Sequence, residues 1–131
     1  MSRILALDIG GQRTGFAITD EEQIIAQALP FTAPLAGLKN KISEIQKDYG
    51  FEKIVVGLPK SMSGFEGRQA ELVRQAGELI RKEFGCPVEF FDERLTTKQV
   101  MNFKGLGIDM PADSLVAQQI LQDYLKKSHN P

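Results

Sequence analysis

Apolar residues follow two rhythms along the chain. From Arg3 to Ile9 they run almost without interruption, as in a strand covered on both faces, and Gly10-Gly11 then allows a tight turn. Thr14 to Thr19 and Ile24 to Phe31 are further β-rich runs, separated by the polar group Asp20-Glu21-Glu22, so the first three strands are predicted to form an antiparallel meander. Pro34 opens a predicted helix in which Leu35, Leu38, Ile42 and Ile45 recur at helical spacing, closed by Gly50. The run Ile54-Val55-Val56-Gly57-Leu58 within Lys53 to Leu58 predicts a central strand, stopped by Pro59. After the loop Lys60 to Gly67, Ala70, Val73, Ala76 and Ile80 share one helix face up to Gly85, and Val88 to Phe91 is the fifth strand. Beyond Asp92-Glu93-Arg94 the pattern predicts a short helix near Thr97 to Phe103, a glycine-bearing loop and a last helix from about Ala112 to Lys127. The order βββαβαβαα predicts an α/β fold: a mixed five-stranded sheet, antiparallel over strands one to three and parallel after them, with helices on both faces.

Composition narrows the class. A chain of 131 residues with 42% hydrophobic and 25% charged content, without repeats or low-complexity runs, is predicted to form a single domain over 1–131. The lone Cys86 has no intramolecular disulfide partner, and the apolar N-terminal stretch is interrupted at Asp8, short of a signal-peptide core. No apolar run approaches the roughly 20 residues that cross a bilayer. A soluble, cytoplasmic protein without membrane contact is the expectation. The net charge of −1 and pI near 5.9 argue against generic binding to phosphate backbones. Local distribution changes that picture, because Arg13, Lys60, Arg68, Arg94, Lys98 and Lys104 fall in or just after the segments at the predicted active end of the sheet. They can form one positive rim for nucleic acid; individually, each is also an ordinary solvated surface charge.

Open α/β sheets bind ligands beyond the carboxyl ends of their parallel strands, and three acids are predicted there. Asp8 ends the first strand on the face shared by Ile4 and Ala6, where a charge must be paired, hydrogen-bonded or metal-bound; accepting N–H groups from the Gly10-Gly11 turn is the alternative. Asp92 and Glu93 close the fifth strand with side chains on opposite faces, so one can face the site while the other caps the next helix. Asp113 lies in register with Ala117, Ile120 and Tyr124 and is predicted on the buried stripe of the last helix, or else it is a first-turn acid after Pro111. Acids converging from remote segments repel one another unless a cation joins them. Hard ions such as Mg²⁺ or Mn²⁺ prefer carboxylate oxygens, and no Cys/His cluster suggests zinc. One or two such ions can serve phosphodiester hydrolysis.

The residues resemble a known family, the small bacterial pre-16S rRNA nucleases, also described as Holliday junction resolvases, within the ribonuclease H-like superfamily. The resemblance covers nearly the whole chain and rests on four blocks in order. These are Ala6-Leu7-Asp8-Ile9-Gly10 with Arg13 and Gly15; Ile54 to Pro59 with Met62 and Gly64; Asp92-Glu93-Arg94-Leu95-Thr96-Thr97; and Asp113 through Ala117 with Ile120-Leu121 and Tyr124-Leu125. It implies that Asp8, Glu93 and Asp113 are metal-binding catalytic acids, with Asp92 the substitute for Glu93, and that Arg94 and the Gly57 to Gly64 loop lie nearby. It further implies processing of the 5′ end of the small-subunit ribosomal RNA precursor, with a four-way DNA junction as the alternative substrate. Three departures stand out: Gly11-Gln12 where a small residue and Lys are usual, Thr14 for an aliphatic residue, and Val116 in an Ala-Ala pair. No dimerisation signature is visible, so a monomer or weak homodimer is expected. Two other classes share features. Asp8-Ile9-Gly10-Gly11 also resembles the first phosphate-binding segment of actin-like and sugar-kinase ATPases, but the chain is too short for their second domain and lacks the Walker spacing. A non-catalytic RNA-binding module of ribosome assembly would keep the fold and use the acids only structurally.

Overall fold

The computed structural model describes residues 2–60, 64–92 and 110–129. The predicted short helix near Thr97 to Phe103, together with Glu93, Arg94, Lys98 and Lys104, lies outside the described residues. Strands β1 (Arg3–Ile9), β2 (Arg13–Thr19) and β3 (Ala26–Pro34) are followed by helix α1 (Leu38–Asp48), strand β4 (Phe51–Leu58), helix α2 (Arg68–Phe84), strand β5 (Val88–Asp92) and helix α3 (Ala112–His129). The strands form one sheet in the order β3-β2-β1-β4-β5. β2 is antiparallel to β1 and β3, while β4 is parallel to β1 and β5. This is the predicted mixed sheet, with β4 an interior strand between β1 and β5 and buried on both faces, as its apolar run predicts.

Local chemistry explains where elements start and stop. Asp20 accepts the N–H groups of Ile24 and Ile25, each at 2.8 Å, which holds its carboxyl below the usual range, Ile25 acting most strongly. That turn leaves Ile24 and Ile25 exposed, so β3 begins later than the apolar run predicts. Pro34 ends β3 instead of opening a helix; a 3₁₀ turn over Leu35–Gly37 leads into α1 and leaves Leu35 exposed, off the buried stripe of Leu38, Ile42 and Ile45. Gly85 closes α2 in the left-handed conformation at φ +64°, donating its N–H to Arg81.

Alternation along the strands sorts the core into two layers. Leu5, Leu7, Phe16, Ile18, Ile54 and Val56 face α1 and α2. Ile4, Ala6, Ala17, Ala26 and Val55 face α3, meeting Ala117, Ile120, Leu121 and Leu125. Asp8 and Gly15 continue the second face towards the carboxyl end of β1, since Asp8 is the cross-strand partner of Gly15 as Ala6 is of Ala17. Among the described residues no helix is long and apolar enough to cross a membrane.

Candidate active site

Gly15 organises the site. A Cβ built there would stand 2.1 Å from the carbonyl carbon of Asp113 and 2.4 Å from the nitrogen of Ser114, so the first turn of α3 rests directly on the β2 backbone. Only glycine permits that approach. Asp8 projects from the strand position opposite, which brings Asp8 and Asp113 to either side of one glycine on one face of the sheet. The β1–β2 turn beside them is closed by the Gly10 N–H donating to the Arg13 carbonyl at 3.0 Å.

Asp113 corrects one expectation. Its side chain is 32% exposed, and Ser114, at 0%, begins the buried stripe of α3. The helix starts after Pro111, whose carbonyl accepts the N–H groups of Ser114 and Leu115, and this places Asp113 in the first turn, where the helix dipole favours an acid. First-turn placement and proximity to Asp8 therefore hold together. The repulsion expected between the acids is offset within the chain, because Arg13 Nε lies 3.1 Å from Asp113 Oδ2.

Ser114 was not among the residues that the sequence singled out. Between Gly15 and Ala17 the β2–β3 ladder skips: Gly15 faces Thr32 and Ala17 faces Ala28, so Phe16 alone opposes Leu29-Pro30-Phe31. The Phe16 N–H donates to Ser114 Oγ at 3.3 Å, and the same hydroxyl donates to the Phe31 carbonyl at 3.2 Å. Pro30, which has no N–H to give a ladder, is the sequence signal for such a break.

The other predicted residues divide. Lys60 pairs with Glu66 at 3.7 Å, and Glu66 also takes two hydrogen bonds from Arg74, at 2.7 and 2.9 Å, which hold its carboxyl below the usual range. Arg68 is exposed at the start of α2 and has no ion pair among the described residues. Thus the positive rim of the sequence reading is partly neutralised by acids of the chain itself. On β5, Phe90 packs on Gly77 of α2. Asp92, two residues on, occupies the same α2-facing register and not that of Asp8. Among the described residues no three acidic, His or Cys side chains cluster, and Glu93, the third predicted acid, lies outside them.

A cavity of about 470 Å³ opens on the opposite face, between α1 and α2, lined by Ile9, Leu35, Leu72, Leu79 and the Gly10-Gly11 turn. It is apolar and does not include Asp8 or Asp113, so the acids and not this cavity define the candidate site.

Comparison with known proteins identifies the family and the fold. Residues 2–127 match the RuvX family, described as Holliday junction resolvase. A protein of Caldanaerobacter subterraneus subsp. tengcongensis is 42% identical over 98% of this chain and 99% of its own length. One from Streptococcus mutans is 36% identical over 95% of this chain and 98% of its own. Both carry the name "Putative pre-16S rRNA nuclease". Among solved structures, T. thermophilus RuvC in complex with a Holliday junction substrate superposes with a TM-score of 0.65 at 15% identity, covering 99% of this chain and 97% of that one. That likeness is one of fold, the ribonuclease H-like sheet with helices on both faces. The chain therefore belongs to the RuvX family, and the activity that membership carries is a nuclease's, the hydrolysis of phosphodiester bonds.

Proposed function

We propose that this nuclease depends on a divalent cation and processes structured RNA, trimming the 5′ end of the small-subunit ribosomal RNA precursor in the cytoplasm. The observation that carries the reading is that Gly15 is the cross-strand partner of Asp8 at the carboxyl end of β1 and also bears the backbone of Asp113. Their donors are all carboxylate oxygens, which suit Mg²⁺ or Mn²⁺ and not a soft ion. Asp8 and Asp113, with Glu93, would hold the ion, which when bound supplies Lewis acidity at the scissile phosphate. Arg13 forms an ion pair with Asp113. Its guanidinium stands where it can also contact a phosphate, and Lys60, Arg68, Arg94 and Lys98 complete the proposed nucleic-acid surface. We take residues 1–131 as one domain acting as a monomer or weak homodimer.

The test incubates purified protein and Asp8→Asn, each with Mg²⁺ or Mn²⁺, on a precursor ribosomal RNA fragment and on a four-way DNA junction. Metal-dependent cleavage of the RNA by wild type is expected, none by Asp8→Asn, and melting temperatures within a few degrees of each other. An Asp8→Asn protein as active as wild type would overturn the assigned role. Cleavage of the junction in preference to the RNA would transfer the substrate assignment to DNA, and binding without cleavage of either would favour a non-catalytic RNA-binding module of ribosome assembly.

A further inference from the structure

We propose that Ser114 is a positioning residue of the nuclease site: its hydroxyl plugs the β2–β3 bulge and thereby fixes where Asp113 stands relative to Asp8. The inference rests on the reading of Asp113 as a metal-binding acid.

A bulge separates a ladder donor from a ladder acceptor, here the buried Phe16 N–H and the part-buried Phe31 carbonyl, and each then needs a partner other than the ladder. One hydroxyl satisfies both, accepting at 3.3 Å and donating at 3.2 Å from a side chain with no exposed surface. Ser114 belongs to the first turn of α3, yet it bonds to the sheet and not to its own helix, so it does not serve as a cap. The floor beneath α3 explains why such a tether matters. Gly15, Ala6, Ala17 and Ala26 present little relief, so apolar packing alone gives the first turn few ridges to register against. Gly15 sets how near the helix comes, and Ser114 sets where along the sheet it stops. Asp113 is the adjacent residue and inherits both constraints.

Three variants are compared at a temperature where all are folded: Ser114→Ala, Asp113→Asn and Leu125→Ala. Leu125→Ala serves as a stability control, removing a buried side chain from the far end of the same helix. Mn²⁺ affinity is read by calorimetry without substrate, and kcat and KM on RNA. Ser114→Ala is expected to bind Mn²⁺ about 10-fold more weakly and to lose kcat with little change in KM. Leu125→Ala should keep wild-type Mn²⁺ affinity despite its lower melting temperature. If Ser114→Ala does not fold, Ser114→Cys, which fills the site with a slightly larger group that hydrogen-bonds poorly, is measured for the same effects. Wild-type Mn²⁺ affinity and kcat in the serine variant, with affinity lost in Asp113→Asn, would sink the tether alone. Undiminished affinity in Asp113→Asn would sink the reading of Asp113 itself.

Discussion

The two faces of the sheet are built from different materials. Under α1 and α2 the floor is Leu5, Leu7, Phe16, Ile54 and Val56, large side chains that hold the helices at ordinary packing distance. Under α3 it is mainly glycine and alanine, and helix backbone touches strand backbone. The first face can supply most of the apolar burial that stabilises the fold. The second gives up side-chain volume so that an acid on a helix can stand beside an acid on a strand. On the proposed assignment of the acids, stability and chemistry are separated by the thickness of one sheet, and substitutions on the two sides should fail in different ways.

The largest stability effect is expected on the large-residue side. Ile42→Ala removes a fully buried side chain from α1 and should cost about 2–5 kcal/mol by chemical denaturation, while kcat of the folded fraction stays at wild type. A proportionate loss of kcat would dissolve the distinction between the faces. Next come two glycines, one on each side. At Gly15 an added Cβ meets backbone that cannot step aside; Gly15→Ala should cost about 1–3 kcal/mol and, by misplacing Asp113, about 100-fold in kcat. At Gly77 the Cβ would fall 2.5 Å from the end of the half-buried Phe90 ring, a side chain and not backbone, and alanine favours the helix. Gly77→Ala should therefore stay within about 1 kcal/mol of wild type and keep full activity. Equal activities for the two alanine variants would refute the special role of the α3 contact.

Smaller effects sharpen the same contrast. Thr14 faces the α1–α2 layer as cross-strand partner of Ile9, and its hydroxyl is buried without a hydrogen bond among the described residues. Thr14→Val should raise stability by about 1 kcal/mol without altering cleavage; a lower melting temperature would mean that the hydroxyl has a partner. At the other end of α3, the Tyr124 hydroxyl accepts from Lys53 at 2.9 Å and donates to Glu89 at 2.7 Å. These bonds hold Glu89 below its ordinary value of 4.5, with Lys53 adding to the effect of Tyr124, and lift Lys53 above 10.5, with Glu89 adding to it. The depressed Glu89 contributes stability above pH 4.5 that is lost on acidification, and the raised Lys53 contributes below pH 10.5 what is lost in base. The Glu89 side chain is 48% exposed and that of Lys53 30%, so solvent screens the pair and Tyr124→Phe should lower stability by less than about 1 kcal/mol, most clearly between those two pH values. A gap that stays constant from acid to base would show that the charges contribute nothing.

The layer of large residues is the part most readable from the chain. Unbroken apolar runs specified β1 and β4, helical spacing specified α1 and α2, and the placement of Asp8 at the end of an apolar strand marked it for attention. Those signals are local. The seat of α3 is not, because it depends on which residue of β3 lies opposite Phe16, a register that sequence periodicity does not carry. Asp113 was legible as an acid at a helix start, but its spacing from Ala117 suggested a deeper position than the first turn provides. Its pairing with Arg13 joins residues that only the fold brings together. Pro30 was the available clue to the bulge, since a proline inside a strand run has few other places to sit.

Among the described residues β3 is also the outermost strand on its side of the sheet, nine residues long, and a long edge of that kind invites other chains to add themselves. Pro30 and Pro34 remove two main-chain donors from it, and the bulge over Leu29-Pro30-Phe31 interrupts its ladder. The distortion that seats the serine thus also makes the rim a poor template for fibril growth, so smoothing it would expose the protein to self-association as well as to a displaced helix.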